Sequence, residues 1–531
     1  MGTPNGGCPS ILRRLNSSVH ASSRSLPRSR AWTHAPESVI ATTHFPGPLL
    51  RPARLPSAAV VRRRGAPWHA LVPAALSLAL GLWGVRRGGS MWRDEAVTYD
   101  MAWRSPGELW QTLEQIDAVH GLYYLLLHGL FRISGEVDPL LVLRLPSVLA
   151  TAAAAGTVAL LGSRLAGPRA GLSAGVVFAL LPPVQRYAQE GRSYALVCAL
   201  VVWASYLLIR AVERPTPRAW TGYAAVMLTA CLLHEFAVLA LAAHLVALPR
   251  AVRRAWVLAA LAVCAGLAPL VVLSTRQSAQ VAGIGGLGAD AVAGFVGVTV
   301  LGVACAALLR GVRRSRSRVG LTALALPLLA LPAFLLIALT PLKPLYVDRY
   351  VLYGHAGTAL LVGATLERLV RAGGRIRTVA VIAVGAAVLA LLPVTLQLRT
   401  PPSRTDDVAA VAEAVRAEGG DADGVLYMPS RRRVWSLPEP GSVRGLRDLA
   451  LDRGPAASHT LYGTEVAAPV IRSRMLATTR IVALRDPAGQ PVDQNDREAA
   501  KRRVLAAYFV ECRTRHVLGA RITVYARRGL C

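Results

Sequence analysis

The chain has 531 residues, of which 53% are hydrophobic and only 17% charged, a balance that excludes an ordinary soluble globular protein. A formal net charge of +30 invites a nucleic-acid reading, but the arginines cluster between apolar runs and in the first 66 residues. That is the distribution the positive-inside rule produces, so a bilayer and no nucleic acid is the expected partner.

Residues 1–66 are rich in Ser, Pro and Arg without sustained periodicity, and no small-residue cleavage site follows the next apolar run. They read as a disordered cytoplasmic extension before an uncleaved first span, a pattern that a misassigned start would share. Over residues 67–399, runs such as Leu71–Val85, Ala255–Leu273, Val319–Leu339 and Thr378–Val394 approach the ~20 apolar residues that cross a hydrocarbon core. Basic joints at Arg164 and Arg169, Arg214 and Arg218, Arg250–Arg254, Arg310–Arg318 and Arg371–Arg377 are expected on the cytoplasmic side.

Alternating sides from these joints predicts about eleven spans, at 70–86, 139–163, 170–187, 193–211, 219–232, 235–249, 255–274, 289–310, 319–340, 350–371 and 378–397. The N-terminus is then cytoplasmic and the C-terminus outside. The short pair 219–232 and 235–249 could instead be one long tilted helix, which would reverse the parity downstream; the flanking basic joints favour two. Leu122–Ile133 is apolar but only about a dozen residues long, and is expected to lie on the outer surface as an interfacial helix.

After Pro401 and Pro402 the composition turns soluble, with a helix over Thr405–Ala417, strands at Val425–Met428 and Arg480–Leu484, a helix over Arg497–Tyr508 and a strand at Ile522–Tyr525. The expected fold is therefore mainly α: a polytopic transmembrane helical bundle with a small extracytoplasmic α/β domain over residues 400–531. Seven cysteines show no CxxC spacing, and Cys198, Cys231, Cys264 and Cys305 sit in apolar runs, so no metal site is expected from them. Cys512 and Cys531 can pair if the tail is extracytoplasmic.

With this topology, the polar residues that solubility does not explain collect on the outer side: Asp94, Glu95, Asp117, His120, Gln189, Glu190, Arg192, His234, Glu235, Arg276, Lys343, Asp348 and Arg349. Ionisable groups at membrane depth are costly and usually face a cavity or a partner. Each also has a plainer reading. Asp94 and Glu95 could cap the helix that follows; His120, Tyr124 and His128 share a helix face, with His128 taken as structural. His234 and Glu235 could bind a cation or simply hydrate a turn. Arg349, followed by Tyr350 and Tyr353, could snorkel in an aromatic belt or hold a phosphate.

Four segments in order, M-W-R-D-E-A (91–96), D-A-V-H-G-L-Y-Y-L-L-L-H (117–128), Q-E-G-R-S-Y (189–194) and D-R-Y (348–350), resemble the integral-membrane glycosyltransferases of the GT-C type. The likeness runs over most of residues 70–400 and is to the branch of protein O-mannosyltransferases and the lipid A aminoarabinose transferase. The resemblance implies that Asp94 is the catalytic carboxylate, with Glu95 second. The usual His-Pro-Pro-Leu-Tyr-Tyr is here His120-Gly121-Leu122-Tyr123-Tyr124, a shortened form that looks like that of actinobacterial members.

The expected chemistry is transfer of a sugar, mannose first, from a polyprenyl-monophosphate carrier to a glycan, lipid or protein acceptor outside the cell membrane. Asp94 would take the acceptor's proton, and Arg192, Arg349 and Lys343 would hold the donor phosphate. Asp117, His120, Tyr124, Gln189, Glu190, Tyr194, His234 and Glu235 are the expected substrate contacts. No cofactor is required, although a divalent cation would be compatible. No Gly-rich phosphate loop precedes a helix, and the run Gly283–Gly288 reads as a flexible loop. Two other classes remain open at this point, a flippase for lipid-linked glycans and a non-catalytic membrane scaffold.

Overall fold

The computed structural model describes residues 68–277, 287–310 and 317–531, and among them fifteen α-helices lie before Pro401. The N-terminal extension, Gly283–Gly286 and residues 311–316 of a basic joint lie outside the described residues. The helices are α1 (Trp68–Leu82), α2 (Arg93–Trp103), α3 (Pro106–Gln115), α4 (Gly121–Ile133), α5 (Pro139–Ala166), α6 (Pro168–Leu180), α7 (Pro182–Ala188), α8 (Tyr194–Glu213), α9 (Pro217–Leu233), α10 (Leu239–Ala247), α11 (Arg253–Arg276), α12 (Ala289–Leu308), α13 (Leu321–Leu339), α14 (Gly354–Arg371) and α15 (Gly374–Gln397).

Helix starts follow from local chemistry. Asp138 and Thr216 accept from the backbone N–H of Leu140 and Ala219, each just ahead of a proline at the first helical position. Ser105 and Glu108 form a reciprocal capping box on α3. Small residues let the long helices touch backbone to backbone: a Cβ at Gly171 of α6 would sit 2.3 Å from the Ala159 carbonyl of α5.

Each expected span overlaps one or two helices. Among the described residues, seven helices are long and apolar enough to cross a membrane, those at Trp68–Gly89, Pro139–Ala166, Tyr194–Glu213, Arg250–Arg276, Ala289–Leu308, Leu321–Leu339 and Gly374–Gln397. One expected span is broken, and the choice between two short helices and one long one falls to two, as the basic joints favoured. The segment 170–187 is not one helix but α6 and α7, because Pro182 and Pro183 cannot continue the α6 hydrogen-bond ladder. The segments 219–232 and 235–249 are separate helices, parted at His234, whose backbone is extended (φ −165°, ψ 118°), and by a 3₁₀ turn over Glu235–Val238. Both breaks lie beside the polar cluster described below.

The C-terminal domain follows with α16 (Val408–Glu418), β1 (Gly424–Met428), β2 (Arg447–Asp448), β3 (Leu451–Arg453), β4 (Thr464–Glu465), α17 (Ala468–Leu476), β5 (Arg480–Arg485), α18 (Asp496–Tyr508), β6 (Phe509–Val517) and β7 (Ala520–Arg527). The main sheet has the order β2-β1-β5-β7-β6, with β1 parallel to β2 and β5, and β7 antiparallel to β5 and β6. Side chains alternate across it. Leu426, Met428, Ile481 and Ala483 pack on Ile471, Met475, Val504 and Leu505, while Val425, Tyr427, Val482 and Leu484 join the core that includes Val408, Val411 and Val415. Cys512 and Cys531 form a disulfide that ties the last residue to β6.

This domain is stitched to the segment just before α2. The Ser90 hydroxyl donates to Asp407, the Arg93 backbone N–H to Asp406 at 3.0 Å, and the Val408 N–H to the Met91 carbonyl at 3.0 Å. Trp435 Nε1 donates to the other Asp406 oxygen at 3.0 Å. Residues 90–93, which lead into Asp94, are thereby held from both sides.

Candidate functional site

Asp94 and Glu95 are chain neighbours on the first turn of α2, yet their surroundings are opposite. Glu95 is fully buried. It accepts from Arg144 Nε at 2.8 Å, Arg144 Nη2 at 2.6 Å, Arg87 Nη2 at 2.5 Å and the Gly191 backbone N–H at 2.9 Å. Burial alone would raise its pKa, but the charges and hydrogen bonds of Arg144 and Arg87 prevail and hold it at about 2. A carboxylate saturated in this way has no lone pair left to face a substrate, unlike that of Asp94, beside which it was expected as the second catalytic carboxylate. It instead locks α2 to α5 and to the 189–193 loop.

Asp94 keeps its side chain 26% exposed, and its ion pair is with Arg349 Nη2 at 3.7 Å. Arg349, 25% exposed at the side chain, donates through Nε to the Tyr194 hydroxyl at 3.1 Å. Its guanidinium lies over the rings of Tyr194, Tyr350 and Trp92 at 5.5–5.9 Å.

Arg192 is the buried cation of the cluster. Its Nη1 donates to Thr98 Oγ1 at 3.0 Å and to the Tyr124 hydroxyl at 3.3 Å, and Tyr124 in turn donates to Asp117. Burial raises the Asp117 pKa, opposed by Arg192 and by the Tyr124 hydrogen bond. Asp117 has a left-handed backbone (φ 62°), and Gln277 fixes that turn by accepting from the Ala118 N–H at 3.0 Å and donating to the Leu113 carbonyl at 2.7 Å. His120 Nε2 lies 3.9 Å from Asp117.

The rings of His120 and His234 are 5.7 Å apart, with Tyr194 near both and Tyr350 at 4.5 Å from His234. Burial, followed by the charge of Arg192, lowers both imidazole pKa values, that of His234 to about 3. Both are neutral at physiological pH. Glu190 is buried with Oε1 unpartnered, and burial raises its pKa against the pull of Arg404 and Arg349.

The structure thus brings Asp94, Asp117, His120, Tyr124, Glu190, Arg192, Tyr194, His234 and Arg349 into one polar cluster at one end of the bundle. Three expected members stand elsewhere. Gln189 is a structural clamp, donating through Nε2 to the Gly81 and Trp83 carbonyls at 2.9 and 2.6 Å at the end of α1. Glu235 accepts from Ser274 at 2.7 Å, and Lys343 lies within electrostatic reach of Glu235.

Several participants carry no local sequence signal. Arg144, Gln277 and Asp406 lie far along the chain from the groups they hold, and Arg87 reaches Glu95 from the turn before α2. Tyr462, from the C-terminal domain, senses the charges of Asp117, Asp94, Arg93 and Arg192, and its loop is tied down by an Arg104 donation to the Thr460 carbonyl at 2.8 Å. Among the described residues, no group of three or more His, Cys, Asp or Glu side chains converges as a metal-ligand set.

Residues 122–277 match the family described as dolichyl-phosphate-mannose-protein mannosyltransferase. The matched segment holds Tyr124, Glu190, Arg192, Tyr194 and His234 and begins after Asp94. No curated protein matches the chain. Among solved structures, ArnT from Cupriavidus metallidurans in the apo state superposes with a TM-score of 0.53 at 12% identity, covering 86% of this chain and 97% of that one. The same protein bound to undecaprenyl phosphate gives 0.50 at 11% identity, covering 87% and 98%. At these identities the likeness establishes the fold.

Proposed function

We propose that this chain, by its family match and its fold a membrane glycosyltransferase of the GT-C type, moves a sugar from a polyprenyl-monophosphate carrier to an acceptor hydroxyl at the outer face of the membrane. The observation that carries the reading is the pairing of one accessible carboxylate, Asp94, with one accessible guanidinium, Arg349, inside an aromatic rim. The binding of undecaprenyl phosphate by ArnT, a protein of this fold, supports the choice of donor class.

An acceptor hydroxyl is a weak nucleophile at neutral pH. Asp94 accepts its proton as the oxygen attacks the anomeric carbon, and the bond from that carbon to the phosphate oxygen breaks. The departing lipid phosphate gains a second negative charge, which Arg349 and Arg192 meet with guanidinium hydrogen bonds in a site shielded from water. A single displacement of this kind inverts the anomeric centre. Neutral His120 and His234 add no competing charge and offer ring nitrogens to sugar hydroxyls. His120 Nδ1 and His234 Nδ1 are both buried without a protein partner. The reading requires no resident metal, because the two arginines supply the positive charge.

The donor is identified by incubating membranes that carry the protein with a panel of radiolabelled polyprenyl-phosphate sugars, mannose first. Label leaving the lipid fraction for one sugar supports the reading and names the donor. Retention of every sugar in the lipid fraction contradicts it.

A further inference from the structure

The C-terminal sheet has a topological switch point. From β1 the chain leaves toward β2 on one side, whereas from β5, which adjoins β1 on the other side, it leaves toward β6 and β7. In open α/β sheets the crevice at the carboxyl ends of such a strand pair is the usual place for a ligand. Here that crevice is a cleft of about 160 Å³, lined by Met428 and Pro429 at the end of β1, by Arg485, Asp486 and Asp493 at and beyond the end of β5, and by Glu498, Arg502 and Arg521.

The charges in the cleft are unbalanced. Its carboxylates are already matched: Asp486 pairs with Arg431 and Arg432, Asp493 with Arg431 at 2.7 Å, and Glu498 with Lys501 at 2.7 Å. The three lining arginines are not. Arg485 donates to the Tyr525 hydroxyl, Arg502 to the Asp493 carbonyl and Arg521 to the Asp486 carbonyl, and among the described residues none of the three has an ion-pair partner. Glu511 reaches this group only through the Tyr525 hydroxyl, at 3.5 Å.

Arg485 and Arg521 are moreover directly opposite each other in the antiparallel β5–β7 ladder. Like charges in that position destabilise a sheet unless something neutralises them. Guanidinium groups with free N–H donors in a half-buried cleft match the oxygens of phosphate or carboxylate.

We propose that this cleft is an oxyanion-binding site, separate from the Asp94 cluster, that takes a phosphate or carboxylate group, either free or carried on a saccharide. The site does not depend on the catalytic role of Asp94, so its failure and that of the proposed reaction are distinguishable.

The test uses the full chain purified in detergent, as wild type, Arg485→Gln, Arg521→Gln, Arg502→Gln and Arg349→Gln. Inorganic phosphate, glucose 6-phosphate, galacturonate and neutral glucose are titrated calorimetrically at constant ionic strength. Wild type and Arg349→Gln should bind the anionic probes and not glucose, whereas each cleft variant should bind them about tenfold or more weakly. Tighter binding of glucose 6-phosphate than of inorganic phosphate assigns a saccharide-borne anion, and equal binding assigns the free ion. In phosphate-free buffer Arg521→Gln should melt no lower than wild type, since it removes a repulsion, while losing the rise in melting temperature that phosphate gives wild type. Should one variant fail to fold, the other two carry the same comparison. Absence of anion binding by wild type, binding unchanged in the folded cleft variants, binding lost only in Arg349→Gln, or equal binding of glucose would overturn the proposal.

Discussion

The guanidinium of Arg349 stands 3.7 Å from the carboxylate of Asp94, while one residue along the chain Glu95 is closed off by two arginines at 2.5–2.8 Å. The looser, partly exposed pair can exchange partners: Arg349 can turn to a phosphate and Asp94 to a hydroxyl.

Replacing Arg349 should therefore damage transfer without unfolding the chain. Arg349→Gln is expected to lower kcat/KM for the donor by about 10²–10³-fold, as loss of one transition-state donor commonly does. Arg349→Lys should recover little of it, because an ammonium cannot fork to two phosphate oxygens while lying over three aromatic rings. Full activity in Arg349→Lys would count against a bidentate phosphate contact.

Glu95 should behave as a structural residue. Glu95→Gln leaves Arg87 and Arg144 buried without their counter-charge, a loss on the order of 3–5 kcal/mol. The expected result is a large fall in the yield of monodisperse protein and in melting temperature. A well-folded Glu95→Gln protein that binds donor but cannot turn it over would contradict this and return Glu95 to the chemistry.

The buried histidines set a pH dependence of stability. An unfolded histidine titrates near 6.5, whereas His234 in the fold is lowered to about 3 and His120 is lowered also. Below pH 6.5 the unfolded chain binds protons that the folded chain refuses. Stability is thus fully present above that pH and falls as pH drops toward 3, by at most about 1.4 kcal/mol per pH unit for each histidine. Glu95 adds a further loss between its unfolded value of 4.5 and about 2. Melting temperatures across pH 8 to 4 should show the decline, and His234→Gln should flatten it between pH 6 and 4. A wild-type profile flat to pH 4 would be inconsistent with neutral, buried imidazoles.

Tyr462, from the C-terminal region, lies within electrostatic reach of Asp117 and Asp94. Burial, then the charges of Asp117 and Asp94, push its phenol up to about 12, so it stays neutral at physiological pH. Tyr462→Ala is expected to raise the acceptor KM about tenfold while leaving donor binding intact, with Tyr462→Phe in between. An equal effect on donor and acceptor would point instead to a general loosening of the domain.

Much of this was legible in the sequence, and the rest has a physical reason for being hidden. The helices follow from long apolar runs, and the sheet strands at Val425 and Arg480 from short ones. Asp94, His120, Arg192 and Arg349 could be selected because charge at a helix end beside apolar spans is costly and so conspicuous. The distinction between Asp94 and Glu95 was not readable, because it depends on Arg87 and Arg144, whose contacts with Glu95 exist only once α1, α2 and α5 pack. Gln189 looked like a substrate contact for the same reason: its three carbonyl acceptors belong to the end of α1. Tyr462 and Gln277 sit in otherwise unremarkable segments and gain meaning only from contacts more than 150 residues away in sequence.

The most direct measurement is single-turnover transfer by purified Asp94→Asn, matched with wild type for folding by melting temperature and for donor affinity by direct binding. The change keeps the side-chain shape and removes the base. The account predicts that donor binding survives and the transfer step slows by about 10²–10⁴-fold, the range of general-base catalysis. Transfer at the wild-type rate by a folded, donor-binding Asp94→Asn protein would contradict it.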